Sequence, residues 1–271
     1  MDKTKALGRW PNAPLAYLIA EIKFQRPHDF DSTLPALVER FAKDYPLEES
    51  TTFEATLEPG QTNPTLERVR DFKNFANSMG VRLTRSSVAL HCTDYSGWQH
   101  GFEAQWHRVL EAVTEVLRPR VQLRSSLRNI DLLVPEGDES PDEYLVPGLR
   151  PWNAGGDGLG ELEQGNIAMR FKQDNFATTL VVLSRIKGQV VLPPTVQAMP
   201  LVLSPIQQRA LEFHSKTGRP FAIVDTDVVH EAAIPFEFVP LVSQFTELHR
   251  LASTAFLSAT TRDAQQQWQK S

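Results

Sequence analysis

The spacing of the apolar residues changes abruptly at Pro119, and that change sets the fold class. Before it, Phe102, Trp106, Val109, Leu110, Val113, Val116 and Leu117 recur at steps of three and four, the stripe of a helix buried along one side. After it, over 120–134, Val121, Leu123 and Leu127 alternate with polar residues, the pattern of a half-buried strand. Proline lacks the N–H a helix interior needs, so the chain must leave the helix there. The second half repeats this succession. Residues 165–172 and 178–187 form a hairpin around Gln173-Asp174-Asn175, 221–229 form a strand, and Pro235 opens the longest helix. Its stripe is Phe238, Leu241, Val242, Phe245, Leu248, Ala252 and Phe256, and a short amphipathic tail ending at Trp268 docks on the body.

Upstream, residues 15–24 end in apolar/polar alternation and read as a strand. Asp31-Ser32 then caps a helix that buries Leu34, Leu37, Val38 and Phe41 and stops at Pro46. Residues 69–75, 81–84 and 88–93 read as a meander. The expected fold is therefore α+β: two consecutive halves, each a mostly antiparallel sheet backed by a long amphipathic helix, with a pseudo-duplication as the architectural suspicion. The expected organisation is an N-terminal half over 1–134, a linker or loop over 135–165 and a C-terminal half over 166–271.

Charge locates that middle segment. Residues 1–135 are neutral, whereas 136–271 carry the whole net charge of −5. Between 135 and 165 stand eight acids against the single base Arg150, with seven of the 14 glycines. Such a stretch gains little from burial and loses much backbone entropy on ordering. A second break falls at Pro193-Pro194 through Pro205. Mild acidity argues against a nucleic-acid partner. The lone Cys92 excludes an internal disulfide and suits a reducing cytoplasm. The first ten residues lack the apolar core of a secretory signal, and no run is long enough for a membrane span.

Few residues carry a chemical signal. Arg120, Arg124 and Arg128 share parity, so an unbulged strand projects all three from one face, where guanidinium forks could grip an anion or an acidic partner. The structural alternative is a solvated sheet face whose charges pair with neighbours. Asp225 and Asp227 also share a strand face, about 7 Å apart, and could hold a divalent cation or act as acid and base. Equally, they could balance the arginines across the sheet, with Arg128 and Asp227 the natural pair. Tyr95-Ser96-Gly97-Trp98 reads first as a helix start whose rings staple the turn, with ligand stacking by Tyr95 and Trp98 as the functional alternative. His249 falls within the stripe of the last helix, as a partly buried structural histidine. His91 and Cys92 are strand neighbours facing opposite ways and cannot form a dyad. The run Gly155-Gly156-Asp157-Gly158-Leu159-Gly160 lacks a strand before it and a helix after it, so it is no phosphate loop. No catalytic residue and no cofactor is assigned.

In chain order, Asn12-Ala13-Pro14-Leu15, Glu21-Ile22-Lys23-Phe24, Tyr95-Ser96-Gly97-Trp98, Leu127-Arg128-Asn129-Ile130, Val224-Asp225-Thr226-Asp227-Val228 and Leu248-His249 form a set of landmarks. Together they resemble a sporadically distributed family of bacterial proteins of similar length with no assigned function. The sequence departs from the family's Leu-Arg-Tyr-Ile-Asn strand, since Asn129 directly follows Arg128. The resemblance implies a bacterial, intracellular α+β protein and transfers no catalytic residues. The expected role is that of a non-catalytic cytoplasmic binding or accessory protein acting through a protein partner, immunity-like or defence-associated by analogy. Self-association stays open, and no membrane is involved. The rivals are a metal-assisted hydrolase or phosphoryl-handling enzyme built on Asp225 and Asp227, and a small-ligand sensor with a pocket between the halves.

Overall fold

The computed structural model describes residues 12–56, 65–135, 138–151, 162–187 and 199–269. Nine strands form one antiparallel sheet: β1 (Leu15–Phe24), β2 (Leu47–Thr56), β3 (Thr65–Lys73), β4 (Met79–Leu83), β5 (Ser87–Cys92), β6 (Val121–Leu133), β7 (Gly165–Gln173), β8 (Phe176–Ile186) and β9 (Phe221–Pro235). Their spatial order is β2-β3-β4-β5-β1-β6-β9-β8-β7. Six strands of the first half are therefore contiguous, as are three of the second, and the two sets join where β6 pairs with β9 from Val121↔Pro235 to Leu133↔Ala222. The fold is α+β, as expected. Two sheets related by duplication are not confirmed, because the halves contribute unequally to one sheet.

Side chains alternate between the two faces of each strand. On β1, Leu18, Ala20, Ile22 and Phe24 join the larger core. There they meet α1 (Phe30–Ala42) through Leu37 and Phe41 and α2 (Glu103–Ala112) through Trp106 and Leu110. The long α4 (Phe238–Ala259) adds Leu241, Phe245 and Leu248 to the same core. α2 is extended at both ends by wider turns, Trp98–Phe102 and Val113–Leu117, in which Phe102 N–H donates to the Gly97 carbonyl and Arg118 N–H to that of Val113. The tail helix α5 (Arg262–Gln269) packs Trp268 edge-on against Tyr144, closing a second core with Leu133, Leu145, Val224 and Phe256.

Among the described residues, the opposite face is covered at one end. Residues 199–203 cross it ahead of α3 (Pro205–Thr217), and Leu201, Leu203 and Leu211 pack over Tyr17, Ile19, Ile130, Leu132, Phe221 and Ile223. The Tyr17 hydroxyl donates to the Met199 carbonyl (2.8 Å) and Thr93 Oγ1 to that of Val202 (2.6 Å). Gly80 is obligatory beneath this crossing: a Cβ there would stand 2.8 Å from the Phe72 carbonyl oxygen and 2.9 Å from Met199 Sδ.

Four sequence expectations need correction. β9 continues through Pro235, and α4 starts only at Phe238. A proline is tolerated at a strand end, where no ladder N–H is required. Pro205 does not break structure but starts a helix, in the first position after the Ser204 cap, whose hydroxyl accepts from Gln207 N–H. β2, with few apolar positions, was not anticipated. Within the acidic segment, residues 138–151 are packed rather than loose: Tyr144, Leu145 and Leu149 are buried in the second core. The glycine run 155–160 and the pair 193–194 lie outside the described residues.

Candidate functional site

The three-arginine stripe is interrupted. A register shift between Gln122 and Arg124 turns Gln122 toward α4, where its amide donates to Gln244 Oε1 (2.7 Å), while Arg120 precedes β6 and is exposed. Arg124 and Arg128 remain on the open face. Arg128 directly opposes Asp227 across the strands, yet its guanidinium reaches diagonally to Asp225, Nε to Oδ1 at 2.8 Å and Nη2 to Oδ2 at 2.5 Å. Both carboxylate oxygens of Asp225 are thereby engaged in the bidentate geometry that arginine favours. That hydrogen bond, ahead of the opposing burial, raises the Arg128 pKa. Arg124 stands 3.8 Å from Asp227. Burial holds the Asp227 carboxyl above the ordinary range against the pull of Arg124 and Arg128. Among the described residues, no three His, Cys, Asp or Glu side chains gather as a metal-ligand group.

Beneath the same two strands, on the helical side, the polar groups are neutral. Gln244 of α4 accepts from Gln122 and from Ser125 Oγ (2.8 Å) and bonds His230 Nδ1 through its own amide (2.7 Å). An amide nitrogen only donates, so His230 Nδ1 is the acceptor and its ring is neutral, consistent with burial lowering its pKa. Further along, Asn129 and Thr226 are cross-strand partners, and Asp131 lies two residues on. Asn129 Oδ1, Thr226 Oγ1 and Asp131 Oδ2 are buried with no hydrogen-bond partner among the described residues. Burial, with a smaller contribution from nearby Asp225, raises the Asp131 pKa well above the ordinary range. This belt separates the larger core, at Leu127 and Val228, from the second core, at Leu133 and Val224.

The helix-start residues occupy the side of the belt. The Trp98 ring stacks on His249 with centroids 4.1 Å apart and planes 12° apart, and it is buried. Burial lowers the His249 pKa to about 4, so this is a neutral structural histidine. Cys92 is buried and free, its thiol pushed up to about 12 by desolvation.

Tyr95 instead lines a cavity of about 580 Å³ that the sequence did not disclose. The cavity lies where β1 begins and β5 and β6 end, at Leu15, Thr93–Tyr95, Leu132, Val134 and Pro135. α3 flanks it with Ile206, Arg209, Ala210 and Phe213, and Tyr144 and Trp268 supply a further wall. Ile206 and Phe213 are large apolar side chains left 62% and 49% exposed. Arg209 and the Asp94 carboxylate also line it, and neither has an ion-pair partner among the described residues. His214, on the same helix, is buried and directs Nδ1 to the Arg219 carbonyl (3.1 Å), so that nitrogen carries the proton. The volume falls in the range of small-molecule sites, about 300–1,000 Å³. Six stretches far apart in sequence meet here, and no motif marks their meeting. The signal that could have been read was the Ser204-Pro205-Ile206-Gln207 helix start. In comparisons with known proteins, the chain matches no family model and no curated protein.

Proposed function

We propose that this is a non-catalytic binding protein of the bacterial cytoplasm, in line with the family resemblance, that takes a small ligand in the cavity at the end of the sheet and acts through a protein partner. The observation that carries the reading is the cavity itself, about 580 Å³ with walls drawn from both halves of the chain, apolar over much of its lining and bearing a few polar groups. Occupancy would therefore bias how the two halves meet, which is what a sensor requires. The engagement of Asp225 and Asp227 with arginines supports binding over metal-assisted chemistry, since a cation would have to displace a guanidinium from each.

A thermal-shift screen of wild-type protein against a chemically diverse small-molecule library tests the reading. Compounds that occupy the cavity raise Tm, and Ala210→Trp, which fills the space, abolishes the rise. Equal shifts in both proteins, or none in either, would overturn it. The partner belongs on the open face, where Lys23, Arg124 and Glu231 stand side by side across β1, β6 and β9. A stoichiometric protein captured from the native host and lost with Lys23→Glu checks this second element; a partner indifferent to that change places the contact elsewhere.

A further inference from the structure

The cavity's unpaired groups restrict what it can hold. Resting on the binding role proposed above, we infer that its ligand is an aromatic monocarboxylate, with the ring between Phe213 and the apolar wall and the carboxylate on Arg209 and the Tyr95 hydroxyl. Arg209 is a cation on the second turn of α3, between Ile206 and Phe213, and has no acidic partner among the described residues. A guanidinium flanked by exposed apolar side chains suits an amphipathic anion, because its planar fork matches a carboxylate. Tyr95 lines the same space, its hydroxyl makes no hydrogen bond among the described residues, and burial keeps it protonated, so it is a donor with no acceptor of its own. The Phe213 ring, 49% exposed, carries the Arg219 guanidinium over it at 5.6 Å and His214 edge-on, and its remaining exposed surface supplies an aromatic contact.

Asp94 sets the charge limit. Its carboxylate lines the cavity next to Tyr95 and repels a second negative charge, so a monoanion is accepted where a dicarboxylate or a phosphate monoester is disfavoured. The two charges of opposite sign therefore disfavour inorganic phosphate, despite the arginine.

Calorimetric titration with four probes decides the matter: 3-phenylpropionate, 3-phenylpropan-1-ol, phenylsuccinate and inorganic phosphate. The monocarboxylate binds at least about tenfold tighter than the alcohol, and tighter than either dianion. Arg209→Gln removes the preference over the alcohol, Tyr95→Phe weakens the acid about threefold or more, and Asp94→Asn admits phenylsuccinate. Arg209 and Asp94 are exposed, so these two changes leave the fold intact, as circular dichroism will confirm. Equal affinity for acid and alcohol, or an Arg209→Gln protein that binds the acid unchanged, would overturn the assignment. If the library screen still finds compounds that Ala210→Trp excludes, only the ligand class has failed; if it finds none, the binding role fails with it.

Discussion

The pair of strands at the centre of the sheet, β6 and β9, treats ionisable groups in opposite ways on its two faces. On the open face charges are kept and matched, Arg128 with Asp225 and Arg124 with Asp227. On the helical face, a residue or two away along the same strands, nothing is charged: Gln122, Ser125, Gln244 and His230 share neutral hydrogen bonds, and Asp131 is held toward its protonated form. The difference follows from pairing. On the open face each largely buried carboxylate has a guanidinium to offset its lost solvation, whereas Asp131 has none among the described residues and is held toward its protonated form.

Removing one partner on the open face should break this contrast most severely. Arg128→Met leaves the buried Asp225 carboxylate without the two hydrogen bonds it accepts from the guanidinium, and should cost about 3 kcal/mol in urea unfolding. The double change with Asp225→Leu should recover most of that loss; an equally unstable double variant would show that the pair matters for packing rather than for charge. On the helical face the effect depends on pH. Native Asp131 holds its proton above the ordinary range, so as pH rises past about 4 the unfolded chain ionises first and gains. Wild-type stability is therefore eroded by up to about 1.4 kcal/mol per pH unit until the native carboxyl ionises, and Asp131→Asn should remove that slope. Unfolding curves between pH 4 and 7 whose difference stays flat would contradict a protonated Asp131. The smallest effect belongs to Arg124→Gln. Its pair spans 3.8 Å with both side chains 30% exposed, so the loss should stay below about 1 kcal/mol and vanish in high salt.

How much of this was legible beforehand depended on whether a feature was local. The strands at 15–24, 79–92 and 165–186 were visible because period-two alternation is written into consecutive residues. The same logic failed at Pro205 and Pro235, where the ring's consequence depends on position: it is accommodated at the first turn of α3 and at the end of β9. An arginine–aspartate pairing across the sheet was foreseeable from parity. Its register was not, because the long Arg128 side chain reaches past its direct neighbour to Asp225. Of the candidate residues, Tyr95 reached a cavity and Trp98 did not, packing instead on His249. Nothing in the spacing of Asp94, Arg209 and Trp268 could announce that tertiary folding brings them to one space.

The junction between β6 and β9 also shapes how the chain is made. Arg128 and Asp225 are separated by 97 positions, so a ribosome adding about 5–20 residues per second exposes β6 for about 5–20 s before its neighbour exists. Throughout that interval the nascent sheet ends in a long, unprotected border with backbone donors and acceptors open to any passing strand. Chaperone demand in this protein should therefore concentrate on a translation intermediate rather than on the finished molecule, and slowing elongation downstream of β6 should lower soluble yield.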